Sequence, residues 1–298
     1  MKNKKIGIFL ILLILISCSS EDEINLSIEN LSKWNWKRLE NNKVASKAEY
    51  TISNNKITKY TVELYDENGS VTNWSEQLFF YENGKLDKTI ESNSFVNDKY
   101  ETKYFYLNNR LEEVISKHIS NPNTLKKITF EYNGDKVKRT WFSSIDGGNN
   151  YEIVDFYAII NLTFDEQENI IESNPEGKGY SQGVFNYSYD EENNLIQCIN
   201  GGTVYNYDYL NIENPISKTF ISTFGKSNHI MANYPNSAPR SFNNLSPFIV
   251  KSIEGIGISE GLIENIVESG VIKKIINYSK SSSNVNFFPN AIYEFEYE

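Results

Sequence analysis

Seven of this chain's Asn-Gly and Asn-Asn pairs fall between alternating apolar and polar runs, at Asn41-Asn42, Asn54-Asn55, Asn68-Gly69, Asn83-Gly84, Asn108-Asn109, Asn133-Gly134 and Asn193-Asn194. A two-residue hairpin turn of type I′ needs positive φ at both central positions, which Gly and Asn tolerate best. Each pair therefore predicts a reversal between two antiparallel strands. Looser turn signals, Asn121-Pro122-Asn123, Asp146-Gly147-Gly148-Asn149, Pro175-Glu176-Gly177 and Gly201-Gly202, fill the gaps and give a break about every 12 to 20 residues.

The runs between these breaks have the period of two that a half-buried strand requires. Ile128, Phe130 and Tyr132 alternate with Thr129 and Glu131; Phe185, Tyr187 and Tyr189 with Asn186 and Ser188; Tyr205, Tyr207 and Tyr209 with Asn206 and Asp208; Tyr293, Phe295 and Tyr297 with Glu294 and Glu296. With 20 Tyr and 17 Phe, the chain favours strands over helices. More than a dozen strands follow from the spacing. An open twisted sheet rarely exceeds about 10 strands without curling or splitting, so the expectation is an all-β antiparallel meander of hairpin repeats forming a curved or barrel-like sheet, with the aromatic face inside.

Leu64-Tyr65-Asp66-Glu67-Asn68-Gly69-Ser70-Val71, Phe80-Tyr81-Glu82-Asn83-Gly84-Lys85-Leu86 and Tyr189-Asp190-Glu191-Glu192-Asn193-Asn194-Leu195-Ile196 resemble the Tyr-Asp repeats of the RHS type across roughly residues 34 to 220. The layout as a whole is similar to Bacteroidota surface lipoproteins that carry such a repeat domain. Several units lack the Asp or Gly and their spacing is uneven. The resemblance implies a fold and an address, and it transfers no catalytic residue.

The address has its own signal. Lys2, Lys4 and Lys5 precede the apolar run Ile6 to Ile16, which ends at Leu15-Ile16-Ser17-Cys18. Eleven residues are too few to span a bilayer, which takes about 20, and the pattern resembles the lipobox class. Residues 1–17 are then a signal peptide, and Cys18 is the lipidation site and the first residue of the mature chain. Residues 18–31 form a polar tether and residues 32–298 a single β-repeat domain. The Ser19-Ser20-Glu21-Asp22-Glu23 cluster is either a solvated spacer or a surface-export tag, so the expected location is the outer membrane by lipid anchor, at the cell surface or on the periplasmic face. The mature chain has 26 basic against 39 acidic residues, a net charge of −13, which disfavours nucleic acid and anionic headgroups as partners. With Cys18 acylated, Cys198 has no cysteine to pair with.

The hairpin repeat breaks at about 221–270. Residues 228–245 read as a long irregular loop, and Ser259 to Ser269 reads as a short helix with Leu262, Ile263, Ile266 and Val267 on one face and Gly270 as its stop. A closing hairpin over about 271–298 returns the chain to the sheet.

Catalytic motifs are sparse. His118 and His229 lack zinc-site spacing, no Gly-x-Ser-x-Gly elbow occurs, and Gly255-Ile256-Gly257 has no following Lys. His118 reads as a strand-surface residue and Cys198 as a buried, inert thiol. Asp66, Glu67, Glu82, Asp190, Glu191 and Glu192 fall in turns, where solvated hairpin tips are the simpler reading and calcium ligation the other. Neither a cofactor nor a metal is expected. Trp34, Trp36, Trp74 and Trp141 are candidates either for the core or for stacking on sugar rings. The reading that joins these features is a non-enzymatic binding or scaffold module for an extracellular glycan or envelope protein. The alternative is an envelope polysaccharide hydrolase using a carboxylate pair, which requires two carboxylates in one cleft with one of them held protonated.

Overall fold

The computed structural model describes residues 30–94, 98–154, 158–176, 183–227, 246–255, 261–280 and 287–298. Among the described residues, nineteen strands join in one antiparallel sheet. They are β1 (Leu31–Glu40), β2 (Lys43–Ser53), β3 (Lys56–Tyr65), β4 (Val71–Glu82), β5 (Lys85–Asn93), β6 (Asp98–Leu107), β7 (Arg110–His118), β8 (Leu125–Asn133), β9 (Lys136–Ser144), β10 (Glu152–Ile153), β11 (Ile159–Phe164), β12 (Ile170–Glu176), β13 (Phe185–Tyr189), β14 (Leu195–Asn200), β15 (Thr203–Glu213), β16 (Phe248–Gly255), β17 (Gly261–Glu268), β18 (Val271–Lys280) and β19 (Phe287–Tyr297). Helix α1 (Pro215–Phe224) lies between β15 and β16. The last strand returns to the first, with Trp34 opposite Phe295 and Trp36 opposite Tyr293. At the remaining seam, the Asn265 amide on β17 donates to the Val250 carbonyl on β16 at 3.3 Å. With β10 a two-residue strip on the edge of β9, the wall is a nearly closed barrel of 18 strands.

The two ends of the barrel differ. At one, the turn end, β2–β3, β4–β5, β6–β7, β8–β9 and β17–β18 are joined by two residues each, and Asn30 and Glu298 exchange backbone hydrogen bonds of 3.1 and 2.9 Å. At the other, the loop end, longer connections such as 119–124 and 145–151 emerge.

Four of the seven expected turns have positive φ at both central residues: Asn41-Asn42, Asn54-Asn55, Asn83-Gly84 and Asn108-Asn109. The other three differ. Register centres the β8–β9 turn on Gly134-Asp135, where only Gly134 has positive φ. Asn68-Gly69 and Asn193-Asn194 belong to a longer turn in which one residue, Gly69 or Asn193, has positive φ and the leading Asp organises the loop. Asp66 Oδ1 accepts the amides of Asn68 and Ser70, both at 2.9 Å, and Asp190 Oδ1 accepts that of Asn194 at 2.7 Å. Asp165 builds the same turn, accepting from Gln167 at 2.9 Å and Asn169 at 2.7 Å. The acids of the Tyr-Asp units thus serve as backbone acceptors in Asx turns.

A second repeated device sits at the turn end. The residue after each tight turn is followed by an aliphatic side chain that points inward and is almost fully buried: Ile57, Leu86, Leu111, Ile170, Leu195 and Ile272 are at most 1% exposed. Opposite them in the same hairpins stand Ile52, Tyr81, Tyr106, Phe164, Tyr189 and Val267. A bulge next to each pair keeps both members on one face, and of these partners only Val267 is exposed. The ladder to the next hairpin stops two residues short of the aliphatic, at Lys59, Glu113, Glu172, Gln197 and Lys274. A tyrosine hydroxyl of the next strand takes over there. Tyr81 donates to Ile57 O at 2.5 Å, Tyr132 to Leu111 O at 2.6 Å, Tyr189 to Ile170 O at 2.9 Å, Tyr209 to Leu195 O at 2.8 Å and Tyr297 to Ile272 O at 2.7 Å. Burial pushes the Tyr81 and Tyr132 phenols up to about 12, so they remain donors at any physiological pH. Lys56, Lys85 and Arg110 cover the rings of Tyr81, Tyr106 and Tyr132 at 5.0, 5.1 and 5.2 Å.

The inner face is aromatic, as expected. Tyr293, Trp34, Tyr50 and Tyr60 form a continuous stack across β19, β1, β2 and β3, with centroid spacings of 6.3, 4.2 and 4.3 Å. Phe220 of α1 meets Trp34 and Tyr50 edge-on, and Phe224 meets Phe79. Asn214 caps α1 by accepting from the Ile216 and Ser217 amides, and Pro215 occupies the first turn. Of the helix expected over Ser259–Ser269, residues 259 and 260 lie outside the described residues, and the rest forms β17 and its turn. Ile263, Ile266 and Val267 are β-branched, and Ser269-Gly270 has φ of 52° and 79°, a hairpin turn into β18 and not a helix stop.

The outer face carries cross-strand ion pairs, with Trp74, Leu78, Phe80 and Phe105 exposed among them. Lys33 pairs with Glu49 at 3.0 Å, Lys37 with Glu294 at 2.6 Å, Lys59 with Glu76 at 2.6 Å, Lys274 with Glu294 at 3.5 Å and Lys127 with Glu113 at 3.9 Å. Such exposed pairs are worth about 0–1 kcal/mol each; they fix which face meets water.

The turn-end device has a measurable consequence. Leu111→Ala should cost about 2–5 kcal/mol in urea unfolding, as a fully buried leucine does, whereas Tyr132→Phe, which removes one hydroxyl, should cost about 0.5–1.5 kcal/mol. Equal losses from the two would mean that the hydroxyl, and not the packing, holds the hairpins together.

Candidate functional site

Cys18, His229 and the 228–245 loop lie outside the described residues. Three of the four tryptophans belong to the inside of the barrel. Trp34 is 5% exposed, Trp36 packs against the core, and Trp141 has its indole nitrogen buried. Trp74 alone faces outward, 45% exposed on β4.

His118 is not on the outer strand surface. It ends β7 on the inner side of the loop-end rim, with its Nε2 2.6 Å from Asp98 Oδ2, while the Asn121 amide donates to its Nδ1 at 2.9 Å. These two bonds place the imidazole proton on Nε2. Ser120 donates to the other Asp98 oxygen, which also accepts from the Lys99 amide at 2.6 Å. The Ser120 hydroxyl bond, opposed by burial and aided by Lys99 N–H and His118, holds the Asp98 carboxyl below its usual range. Ser, His and Asp thus stand together, but both Ser120 and His118 donate to the aspartate, and the second imidazole nitrogen is already occupied. No imidazole faces the serine, so the cluster lacks the order of a nucleophilic triad. It clamps the 119–124 loop to β6.

Cys198 is fully buried, and burial pushes its thiol up to about 12, which suits a packing role. Among the described residues, no three His, Cys, Asp or Glu side chains form a group able to hold a metal ion. The carboxylates whose proton affinity is displaced, Glu49, Asp98, Asp146, Asp208 and Glu294, are all displaced downward.

Two concavities are walled by described residues. One, of about 440 Å³, lies at the turn end between the start of α1, the chain ends and the β17–β18 turn, with Leu31, Ile212, Pro215, Phe248, Ile272 and Tyr297 among its walls. The other, of about 700 Å³, lies on the outer wall over β19, β1 and β2, with the β3–β4 turn from Tyr65 to Gly69 as one side. Lys43 ties that turn down by donating to Glu67 O at 2.9 Å. Glu49 accepts from both Lys33 and Lys47 at 3.0 Å. Burial works to raise its proton affinity, and these two hydrogen bonds overcome it and hold the carboxyl below the usual range. Glu294 is lowered chiefly by its hydrogen bond from Lys37. Asn35 stands between them, opposite Glu49 on one side and Glu294 on the other. It is 6% exposed, and its Oδ1 has no hydrogen-bond partner. Sequence reading finds Trp34 and Trp36 on this strand and passes over Asn35. Its one local signal is a small neutral amide at an outward position flanked by lysines.

Two outcomes follow from this geometry. Cys198 should resist a maleimide in the native protein at pH 8 and react on unfolding in urea; native labelling would place it outside the core. A depressed carboxyl contributes stability above its unfolded value of 3.8 and loses that contribution as pH falls through its folded value. Asp98→Asn should therefore flatten the fall in stability below about pH 4, measured by urea midpoints, relative to the native chain; parallel curves would remove Asp98 from the acid response.

No family model matches the chain, and no curated protein does. Among solved structures, a porin-like protein from Bacteroides uniformis matches with 11% identity over 90% of this chain and 98% of its own, at a TM-score of 0.36. A porin-like protein from Bacteroides vulgatus matches with 10% identity over 91% and 99%, at a TM-score of 0.33.

Proposed function

We propose that this chain is a lipid-anchored protein of the outer membrane, facing the cell exterior, whose barrel stays in water and binds an extracellular glycan or a neighbouring envelope protein without chemical turnover. The observation that carries this is the polarity of the wall. Inward positions hold the aromatic stacks and α1, and outward positions hold cross-strand Lys–Glu pairs from β1 through β8 and on β18 and β19. A membrane barrel has the reverse plan, with an apolar outer band about 25 Å tall and a polar interior, and each lysine facing lipid at mid-depth costs about 2–4 kcal/mol. The membrane link therefore falls to the lipid on Cys18. The tether leaves the barrel at Asn30, beside Glu298 on the turn end, which leaves the loop end and the side wall open to solvent.

A hydrolase needs a carboxyl held protonated near a second carboxylate, and the displaced carboxylates here are all held ionised. Binding is what this wall supports. The resemblance to Tyr-Asp repeats belongs to the same reading. It is supported by the matching turns after Tyr65-Asp66, Phe164-Asp165 and Tyr189-Asp190.

Fractionation of the envelope tests the anchor and the wall together. The native chain should stay with membranes through a carbonate wash and leave them only in detergent, and Cys18→Ala should be wholly soluble. If Cys18→Ala resists carbonate, the wall itself is inserted in lipid and the proposal fails.

A further inference from the structure

We propose that the outer groove over β19, β1 and β2 is a binding site for a neutral, hydroxyl-rich glycan, with Asn35 at its floor. The inference rests on the binding-module reading above and gives it a site and a ligand class.

Asn35 is the starting point. An amide oxygen buried to this degree without a partner costs about 1–3 kcal/mol, and its cross-strand neighbours cannot relieve it, because Glu49 and Glu294 are ionised acceptors. Lys33 and Lys37 beside it turn their ammonium groups to Glu49 and Glu294, so the amide oxygen still lacks a donor, and a ligand that parts the side chains over Asn35 can bring one from the groove. At about 700 Å³ it falls in the range of small-ligand sites.

Charge decides the class of ligand. Lys33 and Lys47 flank Glu49 at 3.0 Å each, and Lys37 and Lys274 flank Glu294 at 2.6 and 3.5 Å. A cation entering the groove meets the ammonium groups of Lys33, Lys37, Lys43 and Lys47, and an anion meets the carboxylates of Glu49, Asp66, Glu67, Glu294 and Glu296. A sugar hydroxyl is both donor and acceptor. It can donate to Asn35 Oδ1 or to a carboxylate and accept from the lysine beside it, so vicinal hydroxyls match the alternation of sign along the wall. Aromatic surface is at hand for the ring faces. Tyr65 forms part of the groove side, its hydroxyl donating to Glu63 at 2.5 Å. Register carries the same outer face from Lys47 through Glu63 to Trp74, two strand spacings or about 10 Å away. An indole 45% exposed there offers an apolar plane to a pyranose.

The test uses the full chain purified in a detergent without a sugar headgroup. Calorimetric titrations would use neutral hexasaccharides of glucan, mannan, xylan and galactan type, with polygalacturonate and chitosan oligosaccharides as charged comparators. At least one neutral class should bind and both charged ones should not. Asn35→Ala and Trp74→Ala should each weaken binding tenfold or more, and Asn35→Ala should do so without lowering the melting temperature, since it removes an unsatisfied group. Lys99→Ala, on the outer face of β6, should bind as the native chain does. Neutral-glycan binding that survives both Asn35→Ala and Trp74→Ala would overturn the site and leave the binding-module reading standing. Binding of only a charged glycan, or of none, would overturn the ligand class; the anchor and the water-facing wall are decided separately by the carbonate wash.

Discussion

The packing on which the barrel depends is the ring of buried aliphatics at the turn end, where a tyrosine hydroxyl closes the gap between hairpins at five of them. Inter-hairpin ladders stop two residues short of the buried aliphatic, so the strands of neighbouring hairpins part there. Parting lets the turn end narrow around its packed aliphatics, but it exposes a carbonyl inside the protein, and an unpaired buried carbonyl is costly. The hydroxyls of Tyr81, Tyr132, Tyr189, Tyr209 and Tyr297 reach those carbonyls from across the gap. Tyrosine suits the position because its ring fills apolar space beside the aliphatic while its tip supplies the donor. At Tyr81 and Tyr132 the lysine or arginine just after the preceding turn also lies over that ring. Turn, aliphatic and tyrosine make one unit that joins a hairpin to its successor.

That unit fixes which face is which. Because side chains alternate with a period of two, slipping any strand by one residue would put its tyrosines in water and its lysines in the core. The bulge beside each turn-end pair resets the phase, so that both the aromatic before the turn and the aliphatic after it point inward. Further along the strands the same phase sets Lys33, Lys37 and Glu49 outside while Trp34, Trp36 and Tyr50 stack inside. Helix α1 lies where this inner surface is most apolar. Its Thr223 hydroxyl accepts the Ile57 amide at 3.0 Å, which ties it to one of the aliphatic positions. Across the same end, the Ser246 hydroxyl accepts the Leu195 amide at 3.1 Å and shares a bond with Tyr209.

Much of this was legible in the sequence, for local reasons. Paired Asn and Gly residues and alternating aromatics are properties of neighbours along the chain, and they carry the strand count and the aromatic interior. The turn chemistry was legible less finely, since Asn68-Gly69 and Asn193-Asn194 look like two-residue turns until Asp66 and Asp190 are seen gathering the amides. The helix was misplaced for a physical reason. Leu262, Ile263, Ile266 and Val267 have helical spacing, but their antiparallel pairing with β18 decided the outcome. Asn214-Pro215 with Gly225 ten residues later was the better helix signal, a cap, a first-turn proline and a glycine just beyond the end. The His118–Asp98 clamp was out of reach because it joins two strands whose facing order depends on register.

The groove on the outer wall could not have been read from either of its halves. Lys37 and Glu294 are 257 residues apart and meet only because β19 returns to β1. Before closure, β1 has a partner on one side, and Asn35 has a free edge to face. Closure places Glu294 on that edge, hands Lys37 a second-strand carboxylate, and buries the amide between two acceptors. The orphaned oxygen is thus a product of the same pairing that completes the wall. The two features then share their energetics, because a ligand that donates to Asn35 while bridging β19 and β2 favours the closed arrangement over any in which β19 has come away. The sites that matter in such a barrel are made at its seam, by residues whose spacing in the chain says nothing of their meeting.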